Sequence, residues 1–252
     1  MKEERITSRK NPALQQVRKL LTSRRYREET GLFAADGIKL LAEAAKWKAP
    51  LETVVVQDGV ELPELAEEVR ILRVPEDVMA SVSEMDAPQG AVFVCRMPER
   101  TEGAVKRGSI LLDGIQDPGN LGTILRTADA LDVPAILLDG CADPFSPKTV
   151  RASMGAVFRT PVVQMTRQAA VESARTQGIR LLATALHRDA QDLRLAPLAD
   201  CAVIIGSEGQ GICRQLLEAA DGFVVIPMSP RCESLNAAVA AAIVMWQSSC
   251  RT

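Results

Sequence analysis

Asp117-Pro-Gly-Asn-Leu-Gly-Thr-Ile-Leu-Arg126 runs out of an apolar segment, Ile110-Leu-Leu112, and leads into Ala-rich sequence of helical character. Two later stretches begin the same way. Gly206-Ser-Glu-Gly-Gln-Gly-Ile212 follows Ala202-Val-Ile-Ile205, and Ile226-Pro-Met-Ser-Pro-Arg-Cys-Glu-Ser-Leu-Asn236 ends the run Phe223-Val-Val-Ile226. The apolar runs have the length and branched residues of buried strands, and the stretches after them are polar and carry Gly or Pro. This layout puts three loops at the carboxyl ends of strands in an α/β domain, where such domains keep their ligands.

Around these loops, strand-like and helix-like segments alternate. Strands are predicted at 109–112, 135–138, 161–163, 180–184, 202–205 and 223–226, and helices at 121–131, 146–153, 169–177, 210–220 and 234–247. The alternation predicts a parallel sheet with helices on both faces. Upstream, a helix is predicted from Asn11-Pro12, with Leu14, Val17, Leu20 and Leu21 at helical spacing. Further helices are expected over 36–47 and, rich in acids, over 62–69. Strands are expected at 31–34, 53–56, 71–74 and 91–94. The polar stretch 97–108 reads as a linker. The expected division is a smaller α/β domain over 1–97, a linker over 98–107 and a larger domain over 108–252.

Composition narrows the function classes. Apolar residues make up 47% and charged residues 25%, as in a soluble globular protein. No apolar run reaches the roughly 18 residues needed to span a bilayer, and Met1-Lys-Glu-Glu-Arg5 lacks the apolar core of a signal peptide. Six cysteines without CxxC spacing read as free thiols in a reducing cytoplasm. His187 is the single histidine, which argues against a zinc site and a Ser-His-Asp triad. Net charge is only -2, but residues 1–48 carry twelve Lys/Arg against six Asp/Glu, whereas 49–99 carry three against eleven. A phosphate-facing surface is therefore expected in the N-terminal segment.

The usual adenosine-cofactor motifs are absent. Residues 113–122 do not fit G-x-G-x-x-G, Gly206, Gly209 and Gly211 have the wrong spacing, and no P-loop is present. The three loops instead resemble the signature motifs of the SpoU/TrmH family of S-adenosylmethionine-dependent RNA ribose 2′-O-methyltransferases. The resemblance is carried by Asn120 with Arg126, by Gly206–Ile212, and by Ile226-Pro-Met228 with Ser234-Leu-Asn236. Ser146-Pro-Lys148 and Arg151-Ala-Ser-Met-Gly-Ala-Val-Phe158 resemble the family's middle segment. The stretch from Asn11-Pro12 to Ala34-Ala-Asp-Gly-Ile-Lys39 resembles its RNA substrate-binding domain.

The resemblance implies a SPOUT fold with a deep trefoil knot, an exception to the usual topology rules. It also implies a homodimer with its active sites near the subunit interface. The catalytic residues it points to are Arg126, Asn120, Glu208, Ser234 and Asn236. A guanidinium is effectively always protonated, so Arg126 is expected to hold phosphate and stabilise alkoxide charge at the 2′-oxygen. Asn120 and Ser234 also sit where helices begin and are expected as N-caps. Glu208 is expected to anchor Arg126 or a helix end. For S-adenosylmethionine the resemblance points to Thr184, Ala185, Gly206, Ile226, Met228 and Leu235, largely through backbone groups and apolar contact. Arg9, Lys10, Arg24, Arg25 and Lys39 are the expected RNA contacts; with few aromatics for stacking, recognition leans on phosphate and shape. The expected substrate is ribosomal RNA, with 23S rRNA first. The alternatives are tRNA and a non-catalytic RNA-binding protein on the same fold. No metal is expected. The chain departs from the family pattern at Asp36, where relatives commonly carry Glu, in the sequence after Asn236, and at Cys232 in the third loop.

Overall fold

The structure, a computed structural model, describes residues 2–98, 103–198, 200–232 and 234–249. Its chain packs as two units, Met1–Glu99 with Asp143–Arg159, and Arg100–Ala142 with Thr160–Thr252.

The first unit runs β1 (Lys2–Arg5), α1 (Pro12–Thr22), α2 (Arg24–Thr30), β2 (Leu32–Asp36), α3 (Ile38–Lys46), β3 (Leu51–Gln57), β4 (Arg70–Val74), α4 (Glu76–Val82) and β5 (Ala91–Arg96). Asn11 caps α1 by accepting from Ala13 N at 2.9 Å, and Pro12 fills the first turn, where its missing N–H costs nothing. The predicted stripe Leu14, Val17, Leu20 and Leu21 is buried. Ser23 ends this helix and caps the next through Tyr26 N. The sheet order is β1-β4-β3-β5-β2, parallel from β1 to β3 and antiparallel onward. The acidic helix expected over 62–69 does not form. Pro63 steers Leu62 away from the helical region, Glu64 and Glu68 would repel one turn apart, and only Val69 of that segment is buried.

The second unit contains β6 (Ile110–Asp113), α5 (Pro118–Ala130) and β7 (Ala135–Leu137). After α6 (Pro147–Ala152), which packs with the first unit, come β8 (Val163–Gln164), α7 (Arg167–Thr176), β9 (Arg180–Thr184), β10 (Gln191–Asp192), β11 (Cys201–Gly206), α8 (Arg214–Ala219), β12 (Gly222–Val225) and α9 (Ala237–Ser249). The sheet order is β10-β12-β9-β11-β6-β7-β8, and every pairing is parallel, as the alternation predicted. The chain winds outward from β6 to β8 and then crosses back to β9. The winding thus reverses between β6 and β11, which makes their carboxyl ends the switch point of the sheet. α9 packs back against α5 and β11.

Two helices start later than expected. α8 begins at Arg214 rather than 210, because Ser207 and Gly211 form a bridge and Gly211 has φ +66°. α9 begins at Ala237, with Asn236 Oδ1 accepting from Ala238 N at 2.9 Å and Val239 N at 3.3 Å. Asn236 is therefore the cap expected of Ser234. The expected linker also holds a core residue: Val105 is fully buried and its N–H donates to Ser173 Oγ at 3.0 Å.

The segment 143–159 departs from the linear domain division. Its Phe145 lies 5.0 Å from Phe33, and Phe158 lies 6.2 Å from Phe33 and 6.1 Å from Phe93, between ring centroids. Arg27, 4% exposed, donates from Nε and Nη2 to Asp143 Oδ2 at 2.9 and 2.7 Å, and from Nη1 to Leu20 O at 2.6 Å.

Asp36, also buried, accepts from the Ser83 hydroxyl. Burial raises its pKa above the ordinary carboxylate value, outweighing the Ser83 hydrogen bond and the attraction of Arg151. A folded-state pKa above the unfolded one contributes stability below the unfolded value that is lost as pH rises through the folded value. Melting temperatures of Asp36→Asn and the parent, compared between about pH 4 and about pH 8, are expected to shift in the variant's favour as pH rises. A pH-independent difference would remove this assignment.

Candidate active site

The three loops converge at the carboxyl end of the parallel sheet. In the first, Asp117 caps α5 by accepting from Asn120 N at 2.8 Å, with Pro118 in the first turn. Asn120 is thus not the cap expected of it, and its side chain is left for other partners. Its Nδ2 donates to Glu208 Oε1, and its Oδ1 accepts from Asn236 Nδ2 at 3.0 Å. The orientation of both amides follows from one helix end. The α9 N–H groups take Asn236 Oδ1, so its Nδ2 faces Asn120 Oδ1, and Asn120 Nδ2 then faces the Glu208 carboxylate. One member from each motif loop is therefore joined in a single directed chain of hydrogen bonds.

Beside this chain lies a cavity of about 420 Å³. Its wall includes all six residues expected at the cofactor, Thr184, Ala185, Gly206, Ile226, Met228 and Leu235, together with Glu208 and Ser234. Leu186, Ser207, Gln210, Gly211 and Ile212 also line it. Leu186 continues the Thr184-Ala185 pair, and the other four belong to the second motif loop. Gly206 is held where no side chain fits: a Cβ there would lie 2.3 Å from Gly211 C and 2.5 Å from Ile212 N.

Arg126 is exposed on α5 and is not a wall residue. Glu208 bonds Asn120, so the anchoring of Arg126 expected of it is not formed among the described residues. Ser234 is exposed at the cavity. The expected RNA contacts are exposed on the first unit. Arg9 pairs with Asp77 at 2.7 Å, Arg24 with Glu28 at 2.9 Å and Arg25 with Glu29 at 2.7 Å. Exposed pairs of this kind are each worth about 1 kcal/mol or less, so a phosphate can take the place of the carboxylate. Lys10 and Lys39 stand on the segment before α1 and on α3. Among the described residues no three His, Cys, Asp or Glu gather as a metal site, and no helix is long and apolar enough to cross a membrane.

Comparison with known proteins agrees with this arrangement. The model of the SpoU rRNA Methylase family matches residues 108–246, and that of the MRM3-like substrate binding domain matches residues 11–92. The 23S rRNA (guanosine(2553)-2′-O)-methyltransferase RlmP of Bacillus subtilis is 36% identical over 245 residues, which cover 96% of this chain and 98% of that protein. Among solved structures, the AdoMet-bound rRNA methyltransferase from Sinorhizobium meliloti superimposes with a TM-score of 0.87 at 30% identity, covering 99% of this chain and 98% of that one. The SpoU methyltransferase AviRb from Streptomyces viridochromogenes, in complex with AdoMet, does so with a TM-score of 0.82 at 30% identity, covering 96% and 98%. With its three motif loops, its all-parallel sheet and matches along nearly its whole length, the chain belongs to the SpoU methylase family.

Proposed function

We propose that this protein transfers the methyl group of S-adenosylmethionine to a ribose 2′-OH in ribosomal RNA, with 23S rRNA as the substrate. The observation that carries this reading is the cavity beside the Glu208–Asn120–Asn236 chain. Its volume of about 420 Å³ suits a nucleoside-sized ligand. Its wall is apolar at Leu186, Ile226 and Leu235 and polar along the Gly206–Gly211 backbone, a donor set fitted to an adenine edge and a short polar tail.

When bound, S-adenosylmethionine supplies an electrophilic methyl group on a cationic sulfur. The chain's own residues then align the acceptor. Asn120 and Asn236, fixed by the α9 amides, present a rigid polar edge to the reacting hydroxyl, and Ser234 adds a hydroxyl at the same rim. Rigid placement of this kind lowers the entropic part of the barrier. The Arg126 guanidinium holds the neighbouring phosphate and stabilises charge as the 2′-oxygen loses its proton.

Residues 1–97 serve as the RNA substrate-binding domain, with Arg9 and Lys10 ahead of the matched span 11–92 and Arg24, Arg25 and Lys39 within it, all on phosphate. Passage of the chain from β12 beside β9 to α9 on α5 and β11 supports the deep trefoil knot. Val239, Ile243 and Trp246 form an exposed apolar stripe at i, i+4 and i+7 of α9, which supports a homodimer, and the free thiols of Cys95, Cys141, Cys201, Cys213 and Cys232 support a reducing cytoplasm as its compartment. The test is methylation with tritiated S-adenosylmethionine on separate rRNA and tRNA pools from a strain lacking the protein, followed by mass spectrometry of the nucleosides. A 2′-O-methylnucleoside in rRNA is expected. Label on tRNA alone overturns the substrate, and label on neither pool overturns the activity.

A further inference from the structure

Asp113 ends β6 and is 2% exposed, yet it is not part of the cavity wall. A buried carboxylate without partners is costly, so its bonds show what it holds. Oδ2 accepts from Cys213 N at 2.8 Å, and Oδ1 accepts from Arg167 Nε at 2.7 Å. Arg167 opens α7 and is itself held on the turn after β7: its N–H donates to Asp139 Oδ2 at 2.8 Å and its Nη2 to Asp139 O at 2.9 Å.

The register of the sheet gives these bonds their meaning. Asp113 is the partner of Gly206 in the β6–β11 pairing. Gly206 is where the second motif loop leaves the sheet, and Cys213 is where that loop ends and α8 is capped. One residue therefore holds both ends of the loop, through strand pairing at Gly206 and through its carboxylate at Cys213. Between those ends lie Ser207, Glu208, Gln210, Gly211 and Ile212, all in the cavity wall, and Glu208 accepts from Asn120.

We propose that Asp113, braced by Arg167, is a positioning residue that sets the second motif loop for both cofactor and catalytic chain. This rests on the reading of the cavity as the S-adenosylmethionine site. Asp113→Asn puts an amide against the Arg167 guanidinium, so the amide cannot satisfy Arg167 and Cys213 N–H with one oxygen each. Released at one end, the loop moves its wall residues, and misplacement by an ångström costs about a hundredfold.

The test uses the full-length protein, its Asp113→Asn and Arg167→Gln variants and the double variant, each checked by melting temperature. Amide hydrogen exchange over residues 207–213 is read without cofactor. Equilibrium dialysis with S-adenosylmethionine and steady-state methylation follow. Each single variant is expected to speed exchange in this loop and to raise KM for S-adenosylmethionine by about ten- to a hundredfold, leaving KM for RNA in place. The double variant, which replaces an ion pair by an amide pair, is expected to recover part of the loss. Unchanged loop exchange overturns the clamp. Faster exchange with unchanged cofactor binding, or an equal loss in KM for S-adenosylmethionine, KM for RNA and kcat, overturns its positioning role. Should Asp113→Asn fail to fold, Arg167→Gln alone decides between these outcomes. Absence of S-adenosylmethionine binding by the parent would instead overturn the cofactor reading, while the exchange experiment still decides the clamp.

Discussion

Gly206→Ala is expected to lose S-adenosylmethionine binding by about a hundredfold or more, although a single methyl is added. The added Cβ would meet Gly211 C at 2.3 Å, Ile212 N at 2.5 Å and Gly211 O at 2.6 Å. All three are backbone atoms, so no side chain can swing aside. They belong to a turn closed by Ser207 N to Gly211 O at 3.1 Å and Gly211 N to Ser207 O at 2.9 Å. Relief requires the turn to open, and the turn is cavity wall. Overpacking of this kind costs about 1–3 kcal/mol even where neighbours adjust. Gly209→Ala is the matched control, since a Cβ there meets nothing within 4 Å. Calorimetric titration of the two variants checks the point; equal affinities would dismiss the steric argument.

Arg126→Ala is expected to lower turnover by about two to three orders of magnitude while leaving S-adenosylmethionine binding unchanged. The separation of effects follows from position, because Arg126 is exposed on α5 and does not line the cavity. In the proposed mechanism its charge acts at the RNA oxygen as negative charge develops there, which puts the loss in kcat. Arg126→Lys keeps a charge but loses the planar fork, and only partial recovery is expected. Single-turnover methylation beside dialysis of the cofactor separates the two quantities. A variant that binds cofactor and methylates at the parent rate would take Arg126 out of the mechanism.

What could be read from the sequence follows the strength of local signals. Strands buried on both faces, such as Ala202–Ile205, are continuous apolar runs and were legible, as was the parallel sheet they imply. The cofactor residues followed from the resemblance of the motif loops to the family; Thr184 and Ala185, which no Gly or Pro marks, would not have been found from loop composition alone. β1 was not, since Lys2-Glu-Glu-Arg5 has no apolar residue. It is a strand because Glu3 pairs with Arg73 and Glu4 with Arg70 across the sheet, a complementarity visible only once the strands are neighbours. Caps were legible in kind, and at Asn11 in position, but not where two candidates stand close together. Asp117 and Asn120 are both good caps, as are Ser234 and Asn236, and tertiary contact decides between them. The role of Asp113 was hidden because its partners lie 54 and 100 positions away.

The order in which the chain is made meets the order in which it packs at residues 143–159. All five strands of the first sheet precede residue 97, yet Phe33, Phe93 and the Arg27 guanidinium are covered by Phe145, Phe158 and Asp143. A nascent chain that has cleared the ribosome tunnel as far as β5 lacks the ring partners of Phe33 and Phe93 and the carboxylate partner of Arg27. These partners arrive only after β6, α5 and β7 have emerged behind it. The first unit to be synthesised is thus completed only by sequence made well after its last strand.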